Sequence, residues 1–411
     1  MYSPRIAIAE WFEGGHHETF LSHAILALEE INADVLTICL RPDKIRENVE
    51  KLRRSYGLGS CRSMQTTYFK IEHQRKRFHG IRPARISSMD WSFRHFRYIE
   101  GLVNKWENKK QGSIDLIFYA CVADWEFEWM QYIQPFLRYP WAGQYLHAWS
   151  LRMPGKKMPL SGRLPCPEKI FRGHLCKGVA ILDEYRVNQF SEITAKPTIV
   201  FPDLTEERLL SPTNESGIAK RLNKFSEGRP LIGSFGVLQK SKGILPLAAV
   251  AQDPRMNDLR FAFAGEVKWD SLNARESEEF INIITNADNI WSHLLRIPDE
   301  AVMNSLFKVC DVIYAAYVDF PHSSNILTKA AYLKKPIIVS DGYIMADRVR
   351  EFSLGEVVPQ GDTDAIANAI LKITRDPVAW VNEHKPRWSD FCDIHSFESL
   401  KKSFSKLIKN N

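Results

Sequence analysis

Two small-residue turns, each leading from an apolar run into a helix, carry the residue types best suited to grip a charged ligand. In DFPHSSNILTKAAYLKKPIIVSD (319–341) a polar loop gives way to a helix that opens on Ser323, Ser324 and Asn325, followed by an apolar strand. A helix entered through small polar residues leaves its first N–H groups unbonded and turns the positive end of its dipole towards the loop. Phosphate is the common anion at such a place. In LIGSFGVLQKSKGILPLAAVAQ (231–252) the same logic recurs: a strand, Gly233 and Gly236, then Lys240 and Lys242 before a helix. Two such turns in one half of a chain predict a diphosphate held between them.

Other candidates sit in the first half. Gly14-Gly15-His16-His17 forms a turn between a strand and a helix, which puts His16 and His17 where they could line an acceptor site. The spacing from His17-Glu18 to His23 does not fit H-E-x-x-H, and adjacent histidines rarely share one zinc, so no metal is expected. DWEFEW (124–129) sets Asp124 and Glu126 among tryptophans, carboxylates for sugar hydroxyls or proton transfer beside faces on which sugar rings stack. There is no G-x-x-x-x-G-K-[ST], no G-x-S-x-G and no G-x-G-x-x-G opening the first helix, which removes the common triphosphatase, hydrolase and dinucleotide readings.

The elements that must position these residues alternate. RIAIAEWF, DVLTICL (34–40), DLIFYACV (115–122), AGQYLHA (142–148), GVAILDE (178–184) and PTIVFPD (197–203) read as short strands buried on both faces. Residues 43–110 read as a charged, helical insertion. The segment 206–228, with Pro212, Asn214, Gly217 and Gly228, reads as a linker. From 229 to 377 strands and helices alternate strictly, which demands parallel strands and right-handed crossovers. The tail 378–411 reads as helices that cross back to the N-terminal domain, 1–205. The fold class is therefore α/β, with two doubly wound parallel-sheet domains.

The 411 residues suffice for two domains with real cores, at 45% hydrophobic and 25% charged. No apolar run approaches the ~18 residues that a bilayer span needs. Seven cysteines without a C-x-x-C pair point to a reducing cytosol. The formal charge is +6, and residues 41–100 hold 15 Lys/Arg against 6 Asp/Glu. That local field, with the aromatics of 68–98, suits an anionic acceptor or peripheral contact with an anionic membrane. No compact nucleic-acid motif accompanies it.

In these motifs the chain resembles the large family of retaining, nucleotide-sugar-dependent glycosyltransferases of the GT-B fold. Their phosphate loop reads G-R-L-x-x-x-K-G, and this chain has Gly236-Val237-Leu238-Gln239-Lys240-Ser241-Lys242-Gly243, with Lys242 on the diphosphate-binding lysine. PDEAVMNSLFKVCDVIYAAY is similar to the helix and strand before the family's donor loop. The resemblance implies two Rossmann-like domains facing across a cleft, Gly14 and Gly15 near the donor phosphates, and Arg296 and Ile297 beside the nucleotide base. It also implies His147, at a strand end, as a contact to the donor sugar. The family's loop arginine is Val237 here, and its E-x7-E pair falls on Pro321 and Lys329, so Lys329 is expected to direct its charge at phosphate. The implied reaction is transfer of a hexose from a nucleotide-diphosphate sugar to a saccharide or lipid-linked acceptor, with retention, in glycoconjugate or polysaccharide assembly. It would use no cofactor and no metal, in the cytoplasm or at the inner face of its membrane. A nucleotide-sugar epimerase and a catalytically silent binding protein are the rival readings.

Overall fold

The computed structural model describes residues 3–12, 16–59, 66–71, 84–122, 127, 129–146, 149–153, 167–209 and 217–409. They divide into two compact units, 1–202 with 396–411, and 203–395.

The first unit is built on β1 (Arg5–Glu10), β2 (Asp34–Cys39), β3 (Thr67–Lys70), β4 (Leu116–Tyr119), β5 (Trp141–Gln144), β6 (Cys176–Ile181) and β7 (Thr198–Val200). Their order is β3-β2-β1-β4-β5-β6-β7, and every pair is parallel. Ile6, Ala7, Ile8 and Ala9 of β1 are all buried, which requires cover on both faces of the sheet. The direction of strand addition reverses between β1 and β4, and in such sheets the crevice at that reversal is where ligands bind.

The segment 43–110 differs from the expected helical insertion. It is α2 (Pro42–Ser55), the edge strand β3, and α3 (Ala84–Lys110), a regular part of the sheet. β3 is four residues long and partly exposed throughout, so it lacks the apolar run that marks a buried strand. The C-terminal helix Phe397–Lys409 completes this unit's core. Phe397 stacks on Tyr56 at 4.6 Å, Phe404 meets Phe118 and Phe201 edge-on, and Ser403 donates to the Val200 carbonyl at 2.8 Å.

The second unit carries β8 (Leu231–Phe235), β9 (Arg260–Ala264), β10 (Ile290–His293), β11 (Val312–Ala315), β12 (Ile337–Ser340) and β13 (Gly355–Val358). The order is β10-β9-β8-β11-β12-β13, again all parallel. Its switch point lies between β8 and β11. The later part of 206–228 is not irregular. It forms the helix Gly217–Ser226, whose Ala219 and Leu222 enter the core beside Leu306 and Phe307. Its small amphipathic pattern is hidden in the sequence by the glycine and asparagine around it.

His23, in α1 (His16–Glu30), belongs to the core rather than to any metal cluster. Its Nδ1 lies 2.8 Å from the Thr19 carbonyl, and its Nε2 lies 3.1 Å from the Tyr56 hydroxyl. Burial disfavours the imidazolium and lowers its pKa to about 4, against a smaller opposing effect of the Thr19 bond. Between pH ~6.5 and about 4 the unfolded chain therefore binds the extra proton and the folded one does not. Stability should fall on acidification through this window by about 1.4 kcal/mol per pH unit from this residue. Urea titrations between pH 7 and 4.5 should show a shallower acid slope for His23→Gln than for the parent; equal slopes would discount the residue.

Candidate functional site

Because β8 and β11 are direct neighbours, paired Ile232 with Val312 and Gly233 with Ile313, the loops leaving their carboxyl ends share one place. The first loop turns at Gly236 (φ +97), makes a single 3-10 turn over Lys240–Lys242, and enters the helix Ile244–Ala251 through Gly243 (φ +69). Only glycine fits that entry. A Cβ at 243 would lie 2.3 Å from the Ala316 carbonyl oxygen and 2.7 Å from the Tyr314 hydroxyl. The Tyr314 hydroxyl donates to the Gly243 carbonyl at 3.1 Å, and burial raises its pKa far above the usual phenol range, so it stays a donor. The Val318 N–H donates to the Ser241 carbonyl at 2.9 Å. The two turns that sequence reasoning paired are thus stitched together through backbone.

The nominated lysines separate by partner. Lys240 is bound by Glu276, whose carboxyl that bond holds below its usual range. Lys329 is buried, with Nζ 3.0 Å from Glu300 Oε2 and 2.5 Å from Asn304 Oδ1. This corrects the expectation that Lys329 reaches phosphate: its charge is consumed inside the unit, by a carboxylate on the neighbouring helix Glu300–Val309. Asn304 passes the constraint on, donating to the carbonyls of Glu206 and Arg208 at 2.8 and 2.7 Å. Lys242 is different. Its Nζ lies 3.8 Å from the centre of the Tyr317 ring and 4.4 Å from that of Phe320, and among the described residues no carboxylate is within ion-pair range. Two ring faces hold the ammonium in place, at ~0.5–2 kcal/mol each, without neutralising it.

Ser323 is also committed. Its hydroxyl donates to the Asp203 carboxylate and accepts from the fully buried Arg348, whose guanidinium is 3.7 Å from the same carboxylate. Thr328 donates to the Asp203 carbonyl at 2.8 Å, and the Asp203 N–H donates to His395 Nδ1 at 3.0 Å. Burial keeps His395 neutral by pushing its pKa well below the ordinary value. Ser323 is therefore a structural tie, not an open hydroxyl. Ser324 caps the helix Asn325–Tyr332 through its backbone alone, without a side-chain cap bond, and Asn325 is the first helical residue. Arg296 is exposed beyond the edge strand β10, while Ile297 is half-buried against the unit's core. Sequence reasoning missed Tyr317 and Phe320, though two aromatic residues in the loop expected to face the lysine-bearing turn were a usable signal. Asp203 and Arg348, 145 positions apart in the numbering (348 − 203), gave none.

In the first unit Gly14, Gly15, Asp124, Glu126 and His147 lie outside the described residues, and of His16 only its place at the start of α1 is described. His17 Nδ1 is 3.3 Å from Glu10 Oε2, and Glu10 Oε1 accepts from the Phe12 N–H at 2.9 Å.

Two sheets of this order, each wound on both faces in its own unit, define the GT-B class of fold. Residues 218–390, most of the second unit, match the family described as "Glycosyl transferases group 1". No curated protein matches the chain. Among solved structures it is similar to a glycosyltransferase from Rickettsia africae (12% identity, 100% of this chain and 98% of that one, TM-score 0.67). Similar likeness extends to the sucrose-phosphate synthase of Thermosynechococcus elongatus (16%, 99% and 98%, TM-score 0.68). It extends also to Anabaena HepE in complex with UDP and glucose (13%, 99% and 100%, TM-score 0.66). Each likeness establishes the fold.

The assignment of Lys329 is testable by stability. Lys329→Met should lower the unfolding free energy by about 3 kcal/mol, because it leaves Glu300 and Asn304 without their shared donor. Chemical denaturation measures this. A variant as stable as the parent but weaker in nucleoside diphosphate binding would return Lys329 to the ligand.

Proposed function

We propose that this protein transfers a hexosyl group from a nucleotide-diphosphate sugar to a saccharide or lipid-linked acceptor, with retention of anomeric configuration. The observation that carries the reading is Lys242, which meets the Tyr317 and Phe320 rings and, among the described residues, no carboxylate, at the switch point of a unit that matches glycosyl transferases group 1. Cleavage of the bond from the sugar's anomeric carbon to the phosphate oxygen leaves negative charge on the diphosphate. A fixed ammonium near that oxygen stabilises the charge as it develops, and costs no reorganisation at the moment of reaction. The start of the helix Asn325–Tyr332 adds the positive end of its dipole to the same anion. The acceptor oxygen forms the new bond to the anomeric carbon, and its proton passes to the departing phosphate. On this reading the diphosphate is neutralised by protein groups, the donor is substrate rather than cofactor, and no further cofactor takes part.

Two similar structures, HepE in complex with UDP and glucose and an Escherichia coli trehalose-6-phosphate protein bound with UDP-2-fluoro glucose, support uridine diphosphate sugars as the first donors to try. No helix among the described residues is long and apolar enough to cross a membrane. Glycoconjugate or polysaccharide assembly in the cytoplasm, with an acceptor free or at a membrane's inner face, is the setting this reading implies.

Thermal-shift titration with nucleoside diphosphates and their sugars, alongside a turnover assay for released diphosphate, tests the proposal. Uridine diphosphate should raise the melting temperature, and Lys242→Ala should weaken its binding about 10- to 100-fold, the worth of a charged hydrogen bond. An unaltered affinity in that variant would remove the phosphate assignment. Binding without turnover of any sugar donor would instead favour the silent binding protein, the reading that the exposed Val237 in place of the family's arginine supports.

A further inference from the structure

The first sheet has a switch point of its own, and the residues gathered there have a different chemistry. Glu10 ends β1, Cys121 follows β4 by two positions, and His17 lies in the first turn of α1, the helix that leaves β1. β1 and β4 pair from Ile6 with Leu116 to Ala9 with Tyr119, so the ends of these two strands are adjacent. One carboxylate oxygen of Glu10, one ring nitrogen of His17 and the sulfur of Cys121 lie within 4.8 Å of one another. Glu10 and Cys121 are 3% and 5% exposed, whereas the His17 side chain is 29% exposed, so two of the three donors are buried and one reaches solvent.

We propose that Glu10, His17 and Cys121 form a site for a borderline divalent cation of the zinc class, with one position left to water or an incoming ligand. Carboxylate oxygen, imidazole nitrogen and thiolate sulfur are the three donor types that zinc takes, and three protein ligands with a fourth position open is the arrangement of its non-structural sites. Bond lengths of ~2.0–2.3 Å place tetrahedral donors about 3.3–3.8 Å apart. The His17–Glu10 pair already stands at 3.3 Å. Metal binding would draw the three donor atoms from within 4.8 Å of one another to that spacing. Hard cations that prefer all-oxygen shells are disfavoured by the sulfur and the ring nitrogen. On binding, the Cys121 thiol gives its proton to solvent and its electron pair to the metal, so metal uptake releases one proton and tightens as pH rises. This inference does not rest on glycosyl transfer, since it uses no residue of the second unit.

Titration of the full-length reduced protein with cobalt(II), a spectroscopic substitute for zinc, tests the site. One equivalent should produce a thiolate-to-metal charge-transfer absorption, and zinc should abolish it by displacement. Cys121→Ser should remove that absorption while a folded far-UV spectrum is retained, and His17→Gln should weaken binding at least ten-fold. Cys39→Ser, which alters the neighbouring buried thiol at the end of β2, should leave the absorption in place. Absence of the absorption, its survival in Cys121→Ser, or its loss in Cys39→Ser alone would overturn the proposal.

Discussion

The adjacency of β8 and β11 is the constraint on which the rest of the second unit depends. Parallel strands cannot be joined by a short turn, so each must be followed by a loop and a helix. Where the order of addition reverses, two of those loops emerge side by side with no crossover helix between them. Here that juxtaposition is fixed by backbone: Val318 bonds to Ser241, Tyr314 bonds to Gly243, and Gly243 is packed too close to Ala316 for any side chain. Lys242 inherits its position from these contacts. Its chemistry follows from what is absent around it, since ring faces attract an ammonium but do not cancel its charge.

The neighbouring charges show how the fold decides which groups remain available. Lys240, Lys242 and Lys329 are chemically the same, yet one is paired at the surface with Glu276, one is locked inside by Glu300 and Asn304, and one meets ring faces and, among the described residues, no carboxylate. A buried ion pair is a weak source of net stability, but removing one partner is costly because it leaves the other charge desolvated and unpaired. The Lys329–Glu300–Asn304 group uses this to hold the carbonyls of Glu206 and Arg208. The Arg348–Ser323–Asp203 group does the same for the chain at its entry into the second unit. Together they turn residues 203–209, which have no regular secondary structure, into a strapped segment.

Much of the architecture was legible because the strands are buried on both faces. Strands such as LIGSF and IIVS are unbroken apolar runs that polar turns delimit, and their alternation with helices leaves few topologies open. Legibility failed where that signal is weak. β3 is a short edge strand with half-exposed residues, so 43–110 read as helix throughout. The helix Gly217–Ser226 begins on a glycine and reads as linker. At the site, Lys242 could be found from its loop motif, and Tyr317 and Phe320 lay within reach. Lys329 could not be read correctly, since its partner comes from a different helix.

By itself the sequence determined the alternation of strands and helices, the two doubly wound sheets and the loop that carries Lys242, because these depend on local pattern: periodicity, turn residues and caps. Only the tertiary structure decided which of three lysines lacks a carboxylate partner among the described residues, that Ser323 serves Arg348 and Asp203, and that Glu10, His17 and Cys121 meet. Those outcomes depend on contacts between residues far apart in the chain. Electrostatic interactions and hydrogen bonds fall off with distance in space, and sequence separation carries no measure of that distance until the sheet order is set.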